Sequence, residues 1–487
     1  MPSRKKIALS LVAAFTLPAM SASNAELEAM LIKLQKDFGT YKVTQEKKIA
    51  SLEKKLSVSS DNKKSTPKTN KKKTTVAKKE KKQETLVAMD NNDFSSEGAN
   101  IMPTTSDVVS TDTYESFSDL GLAASKVYNS ESALSIGGYG EYRYRKFTNF
   151  KNFSSPSANK LRRKSETNVV RFVPYIGYKF NDWIIMNTEI EFEDGGARSD
   201  GTKNYKYAIV EFSYLDFLLD EKYNVRAGHV LVPFGNINLN HEPVAFLTSQ
   251  RPLVESLIIP STWHTNGILG FGTYEDFDYY AGIITSPDPG NFTEGRFIQQ
   301  GRRGAKQLTD DVSGVARVSY KGFEGIETGG SLFYGKGTTP HLLLPTSDID
   351  VSMFMAEAHA NYKYDGWNVQ ALAVYGSLGD DYKQLIEHGD ISGEVNGQYL
   401  TVGYDVLHNR NTSHQLYVVG EVERLDLDAD NRTVNPDDYK YNEYTFGFAY
   451  FPDPKVVIKA DYTWRDYRSG SRLADEESFI AALGFIF

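Results

Sequence analysis

The 487-residue chain has no cysteine, which excludes a disulfide framework and leaves hydrogen bonding and packing to stabilise whatever fold it adopts. It also lacks an apolar run of about 20 residues, the length a membrane-spanning helix needs. No G-x-S-x-G elbow, H-E-x-x-H pair or P-loop occurs, and Gly137-Gly138-Tyr139-Gly140 lie within an extended pattern rather than at a strand-to-helix turn. Paired carboxylates such as Glu421 and Glu423 are spaced by two, which on a strand shows only a shared face. No nucleophile and base come together in the sequence, so a non-enzymatic protein without cofactor or metal is expected.

Its beginning reads as an export signal. Arg4, Lys5 and Lys6 precede a short apolar run from Ile7 to Leu17, and Ser23-Asn24-Ala25 reads as an A-x-A-like cleavage site, giving a signal peptide over 1–25.

The overall charge of −8 conceals two regions: residues 1–84 hold 20 Lys+Arg against 8 Asp+Glu, and the totals of 55 and 63 then leave 35 against 55 for the remainder. A basic head precedes an acidic body. Within the head, Leu31, Leu34, Phe38 and Tyr41 follow 4-3-4-3 spacing, and Ile49, Leu52 and Leu56 resume it after a stutter. That spacing predicts a coiled coil over 26–56, with an isolated amphipathic helix as the alternative. Residues 57–133 are polar and at first Lys-rich, and are expected to be a disordered linker carrying at most a short helix near Asp119 to Tyr128. The lysine tract has no aromatic residues for base stacking, so cell-wall polyanions suit it as a contact and nucleic acid does not.

From Leu134 the hydrophobic period becomes two. Sixteen strand candidates follow: 134–146, 167–180, 183–194, 205–217, 223–232, 266–275, 278–286, 311–321, 326–336, 351–364, 367–376, 396–406, 415–425, 442–451, 455–466 and 477–487. Tight turns such as Asn181-Asp182 and Asp365-Gly366 alternate with long connections such as 147–166, 233–265 and 287–310. Alternation also separates the faces. Ile184, Met186, Ile190 and Phe192 oppose Asn187, Glu189, Glu191 and Glu193, while Val456, Ile458, Ala460, Tyr462 and Trp464 share one side. The last strand aligns Phe479, Ala481, Leu483, Phe485 and Phe487. These features predict an all-β transmembrane barrel of about 16 antiparallel strands over 134–487, apolar outside and polar within, with both termini on the periplasmic side.

The order of turns and loops, the longest loop after the fifth strand, and terminal Phe487 resemble the sixteen-stranded trimeric porins of the Gram-negative outer membrane. More narrowly, Arg226-Ala227-Gly228-His229-Val230-Leu231-Val232-Pro233-Phe234-Gly235, with Arg251-Pro252 and Ile259-Pro260-Ser261-Thr262-Trp263, is similar to the phosphate-selective and dicarboxylate-type porins, some of which carry an N-terminal coiled coil. The head, tether and barrel together also resemble a porin-like family linked to iron acquisition in intracellular pathogens. These resemblances imply a homotrimer in contact with outer-membrane lipid and lipopolysaccharide, delivered by the barrel assembly machinery, with its N-terminal head in the periplasm.

In the porins it resembles, the long third loop folds into the lumen, which would place Asn236, Asn238, Asn240, His241, Glu242 and Arg251 near a constriction. Strand parity points Arg143, Arg145, Arg171, Arg226 and Arg317 inward, where permanently charged guanidinium groups can hand an anion from site to site. Glu141, Glu189, Glu191, Glu193, Glu211, Glu357, Glu421 and Glu423 share the interior by the same parity. The expected function is passive passage of small hydrophilic solutes, anions such as phosphate or carboxylates first among them. Passive iron or siderophore uptake and a surface adhesin displayed on the long loops stand as alternatives.

Overall fold

The period-two segments pair in sequence order and close on themselves. In the computed structural model, which describes residues 116–487 apart from 150–163, 197, 200–203, 206–207, 303–308, 342–346 and 386–390, sixteen antiparallel strands form one closed barrel. They are β1 (Leu134–Asn149), β2 (Glu166–Asn181), β3 (Ile184–Glu193), β4 (Ile209–Asp220), β5 (Tyr223–Leu231), β6 (His264–Tyr274), β7 (Phe277–Thr285) and β8 (Val312–Phe323). The second half comprises β9 (Ile326–Pro340), β10 (Asp348–Tyr364), β11 (Trp367–Leu378), β12 (Glu394–Asp405), β13 (Gln415–Asp426), β14 (Lys440–Asp453), β15 (Val456–Tyr467) and β16 (Glu476–Ile486). The fourth strand starts at Ile209, later than its alternation predicts, because Asn204–Tyr205 pairs with Arg198–Ser199 in a small separate hairpin. The signal peptide, the coiled coil and the Lys-rich tract lie outside the described residues.

Closure is made by β1 and β16, with Tyr139 opposite Ile486 and Arg145 opposite Ile480. The last residue completes the seam, since Gly138 and Phe487 exchange backbone hydrogen bonds of 3.0 and 2.9 Å. Gly138 has φ +153°, and a Cβ there would meet the Val173 carbonyl oxygen at 2.3 Å and the Phe487 ring at 2.8 Å, so the seam requires glycine. A closed ladder leaves no sheet edge unpaired, which is the condition for a sheet to sit in lipid.

The two faces separate as the pattern predicts. Phe172, Ile176, Tyr444, Phe446, Phe448, Ile458, Trp464, Phe479 and Leu483 are exposed on the outer wall. Inward positions carry Asn187, Glu189, Glu191, Lys459 and Asp461, all buried. What buries them is chain inside the barrel: the long connection 232–263 and residues 116–130.

Candidate pore constriction

The connection between β5 and β6 is too apolar for a solvated loop. Val232, Phe234, Ile237, Leu239, Phe246, Leu247, Val254, Ile258, Ile259 and Trp263 are all at most 4% exposed, and burying them drives the loop into the lumen. Its base is stapled by Asn238, whose Nδ2 donates to the carbonyls of Val232 (2.7 Å) and Trp263 (2.9 Å) while its Oδ1 accepts the Trp263 N–H at 2.6 Å. Val254–Ile258 forms one π-helical turn.

A loop inside a barrel must still satisfy its backbone, and here the inner wall supplies the partners. On β13, Glu423 accepts the Val254 N–H at 2.9 Å. The β15 side chain of Asp461 accepts the Ser249 N–H, and Lys459 donates to the carbonyls of Phe246 (2.6 Å) and Thr248 (3.0 Å). Asn236 and Asn361 of β10 exchange amide hydrogen bonds of 2.8 and 2.7 Å. Within the loop, Glu255 accepts from the N–H groups of Asn236 (2.9 Å) and Ile237 (2.8 Å) and from the Tyr399 hydroxyl of β12 at 2.6 Å. Burial pushes the Glu255 carboxyl up to about 7 despite these donors.

A second inward segment docks inside the end of the barrel that carries the short turns. Residues 116–130, including the single helical turn α1 (Lys126–Asn129), bury Leu120, Ala123, Ala124 and Val127 against the wall. Glu242 of the loop accepts the N–H groups of Ala123 (2.9 Å) and Ala124 (3.0 Å), and Asn187 of β3 donates to the Ala124 carbonyl at 2.8 Å. Further out, Asp119 pairs with Lys321 (2.5 Å) and Arg317 (3.5 Å), while the Tyr128 hydroxyl donates to Asp216 at 2.6 Å. Residues 116–130, expected to belong to a disordered linker, are therefore a strap docked in the lumen.

These two segments sort the candidate residues. Arg226 and Arg317 do point inward but are enclosed, with side chains 0% and 4% exposed. Arg226 makes a bidentate pair with Asp216 (2.9 Å twice) and lies over Tyr214 at 4.0 Å; Arg317 donates to the Gly235 carbonyl at 2.6 Å beneath the loop. Asn238, His241 and Glu242 are buried as loop anchors, whereas Asn236, Asn240 and Arg251 keep partial exposure.

On the other side of the loop, the structure brings Arg143 and Arg145 of β1, Arg171 of β2 and Arg251 together, each partly exposed. Arg171 lies 3.4 Å from Glu141 and 3.6 Å from Glu191, and Arg145 donates to Gln250 at 3.3 Å. Arg251 reaches Ser261 Oγ (2.9 Å) and the His241 carbonyl (3.0 Å). Arg143 stands within the fields of Glu141, Arg171 and Arg251. Arg302, from the connection after β7, joins the group by donating to the Thr262 carbonyl and lies within the fields of Glu211, Glu191 and Glu193. The result is a partly wetted row of guanidinium groups beside a bank of carboxylates, with donors whose geometry matches the oxygens of small anions.

Arg302, Glu255, Lys459, Asp461 and the strap escape the sequence reading as site residues. Lys459 and Asp461 had a signal, being the inward complement of the outward series Val456 to Trp464. Glu255 had another, as a lone charge within Leu253–Ile259.

No family model matches the chain. An uncharacterised protein of Aquifex aeolicus (strain VF5) is 29% identical over 403 residues, spanning 78% of this chain and 86% of that protein. Among solved structures, the chain is similar to OprB of Pseudomonas putida, at 8% identity and TM-score 0.48 over 73% of this chain and 94% of the other. It is similar to the outer membrane channel DcaP of Acinetobacter baumannii at 12% and 0.46, over 73% and 97%. The trimer form of OmpT of Vibrio cholerae gives 11% and 0.42, over 73% and 99%. The closed strand ladder, rather than these likenesses, carries the architecture.

Proposed function

We propose that the chain is an outer-membrane channel through which small hydrophilic anions, of the phosphate or carboxylate class, pass passively. The observation that supports this most is the partly exposed row of Arg143, Arg145, Arg171 and Arg251 at the level where the inward loop narrows the lumen. Guanidinium groups donate several hydrogen bonds at fixed charge and match the oxygens of phosphate or carboxylate. Their carboxylate neighbours Glu141 and Glu191 compete for the same donors, which keeps each stop shallow enough for the anion to leave. Liposomes carrying the full chain provide the test. Swelling in small carboxylate salts should outpace swelling in salts of equally small organic cations with an impermeant anion, and the reverse order would overturn the reading.

The homotrimer belongs to the same proposal. On the outer wall of β10–β13 the aromatic band gives way to a cleft lined by Ala358, Ala360, Ala371 and Ala373, with Gln398 and Arg424 beside it. Small side chains allow close approach, and an arginine facing lipid costs up to about 2–4 kcal/mol depending on depth, so cover by another copy of the chain is favoured. The N-terminal head and Lys-rich tract are then periplasmic, the lysines suited to cell-wall polyanions.

A further inference from the structure

Where the inward loop meets β3 and β4, three side chains converge with their lone pairs facing one another. Glu189 of β3, Glu211 of β4 and His241 of the loop are 0%, 2% and 2% exposed. One ligand-type atom from each lies within 4.8 Å of the other two. His241 Nε2 is 3.2 Å from Glu189 Oε1 and 3.6 Å from Glu211 Oε2. The opposite ring nitrogen, Nδ1, is 3.0 Å from the Asn238 carbonyl oxygen. A carbonyl only accepts, so Nδ1 carries the proton and donates, leaving Nε2 with a bare lone pair aimed at two carboxylates.

The carboxylates are equally short of partners. Thr262 Oγ1 donates to Glu211 Oε1 at 2.7 Å, but Glu211 Oε2 and Glu189 Oε2 are buried with no hydrogen-bond donor among the described residues. Among the described residues neither has a Lys or Arg within 4.0 Å, since Arg171 is engaged with Glu141 and Glu191 and Arg251 with Ser261 and the His241 carbonyl. Facing lone pairs in a dry site repel unless a positive centre sits between them.

The geometry points to a divalent first-row transition-metal site made by Glu189, Glu211 and His241, which pins the inward loop to the barrel wall. Metal–ligand bonds of about 2.0–2.2 Å put the atoms of one coordination shell roughly 3.0–3.5 Å apart; the separation of 3.2 Å falls inside that range and that of 3.6 Å just beyond it. An imidazole among carboxylates suits Mn(II) through Zn(II) better than Mg(II) or Ca(II). Donation from Nδ1 to the Asn238 carbonyl is the usual means of orienting such a histidine. The site needs only the barrel and its loop, so it stands apart from the anion reading.

The test uses the full chain purified in detergent without chelator, with folding checked by heat-modifiable migration. Elemental analysis and calorimetric titration with Zn(II) and Mn(II) should find about one tight equivalent per chain, weakened at least tenfold in His241→Ala and Glu211→Gln and unchanged in Glu443→Gln, a β14 carboxylate paired with Arg465 at 2.7 Å. Co(II) added to the wild-type chain should give visible ligand-field bands, which EDTA removes; this readout holds even if a variant fails to fold. A folded wild-type barrel that binds neither metal and gives no Co(II) bands would overturn the assignment, leaving a shared proton as the positive centre. Binding unaffected in folded His241→Ala would overturn it as well.

Discussion

Glu242, on the loop that enters from one end of the barrel, accepts the backbone N–H of Ala123, on the strap at the other end, at 2.9 Å across 119 residues of sequence. The two segments that obstruct the lumen are therefore one interlocked unit. Glu242 is 1% exposed, and burial raises its carboxyl to about 7 against the pull of the Ala123 and Ala124 N–H groups.

Glu242→Ala should loosen the strap. It strips the acceptor from two buried N–H groups, each costing about 1–3 kcal/mol when left unpaired. At the lower figure for each, about 2 kcal/mol together, the open fraction already rises roughly thirtyfold. Limited proteolysis should then cut near residues 116–130 in the variant and spare the wild type, while the barrel core stays intact in both.

Arg143→Gln with Arg145→Gln removes two charges from the row and leaves the loop's own anchors in place. The ratio of anion to cation permeability should fall roughly tenfold, the equivalent of about 1.4 kcal/mol at the barrier, with little change in thermal stability. Arg226→Gln should behave in the opposite way. Its bidentate pair with Asp216 is fully buried, so the change should destabilise the barrel by about 3–5 kcal/mol through the charge left unpaired.

Glu255 gives a pH dependence with a definite sign. Its carboxyl is held at about 7 in the folded chain against an ordinary 4.5, chiefly by burial, with Glu357 also raising it and Tyr399, the Ile237 N–H and His359 opposing. A raised value means that the folded state holds the proton more tightly. The associated stability is present in full below about pH 4.5 and is lost as pH climbs through 7. At about 1.4 kcal/mol per pH unit, the difference in unfolding free energy between wild type and Glu255→Gln should shift by roughly 3 kcal/mol between pH 4.5 and pH 8. A difference that stays constant across that range would refute the assignment.

Ala373→Trp places a large ring in the small-residue cleft on the outer wall. Crosslinking and gel migration should show trimers converted to monomers that keep the heat-modifiable barrel. Trimers of unchanged abundance would mean that another face makes the contact.

The sequence made most of this architecture legible because each barrel strand answers to one local rule, alternation, and each turn to another. Ile184 to Phe192 and Val456 to Trp464 separate their faces without reference to the rest of the chain. The inward course of the loop that carries Arg251 rests on the resemblance to porins, and no local rule in the sequence dictates it. Depth was not legible. Parity puts Arg226 and Arg143 on one inner wall, but only the strap and the loop determine that the first is sealed beside Asp216 while the second keeps contact with water. The strap's own address depends on pairings such as Asp119 with Lys321 and Tyr128 with Asp216, 202 and 88 residues apart. Such contacts leave no period to read.

Single-channel recording in a planar bilayer, with a salt gradient across it, bears most directly on the central claim of a wet, arginine-lined passage through the barrel. Such a passage should give discrete conductance steps with a reversal potential of the sign for anions, shifted toward zero by added phosphate or a small dicarboxylate that occupies the row. A folded, inserted protein that carries no current, or one whose reversal potential has the sign for cations, would contradict it.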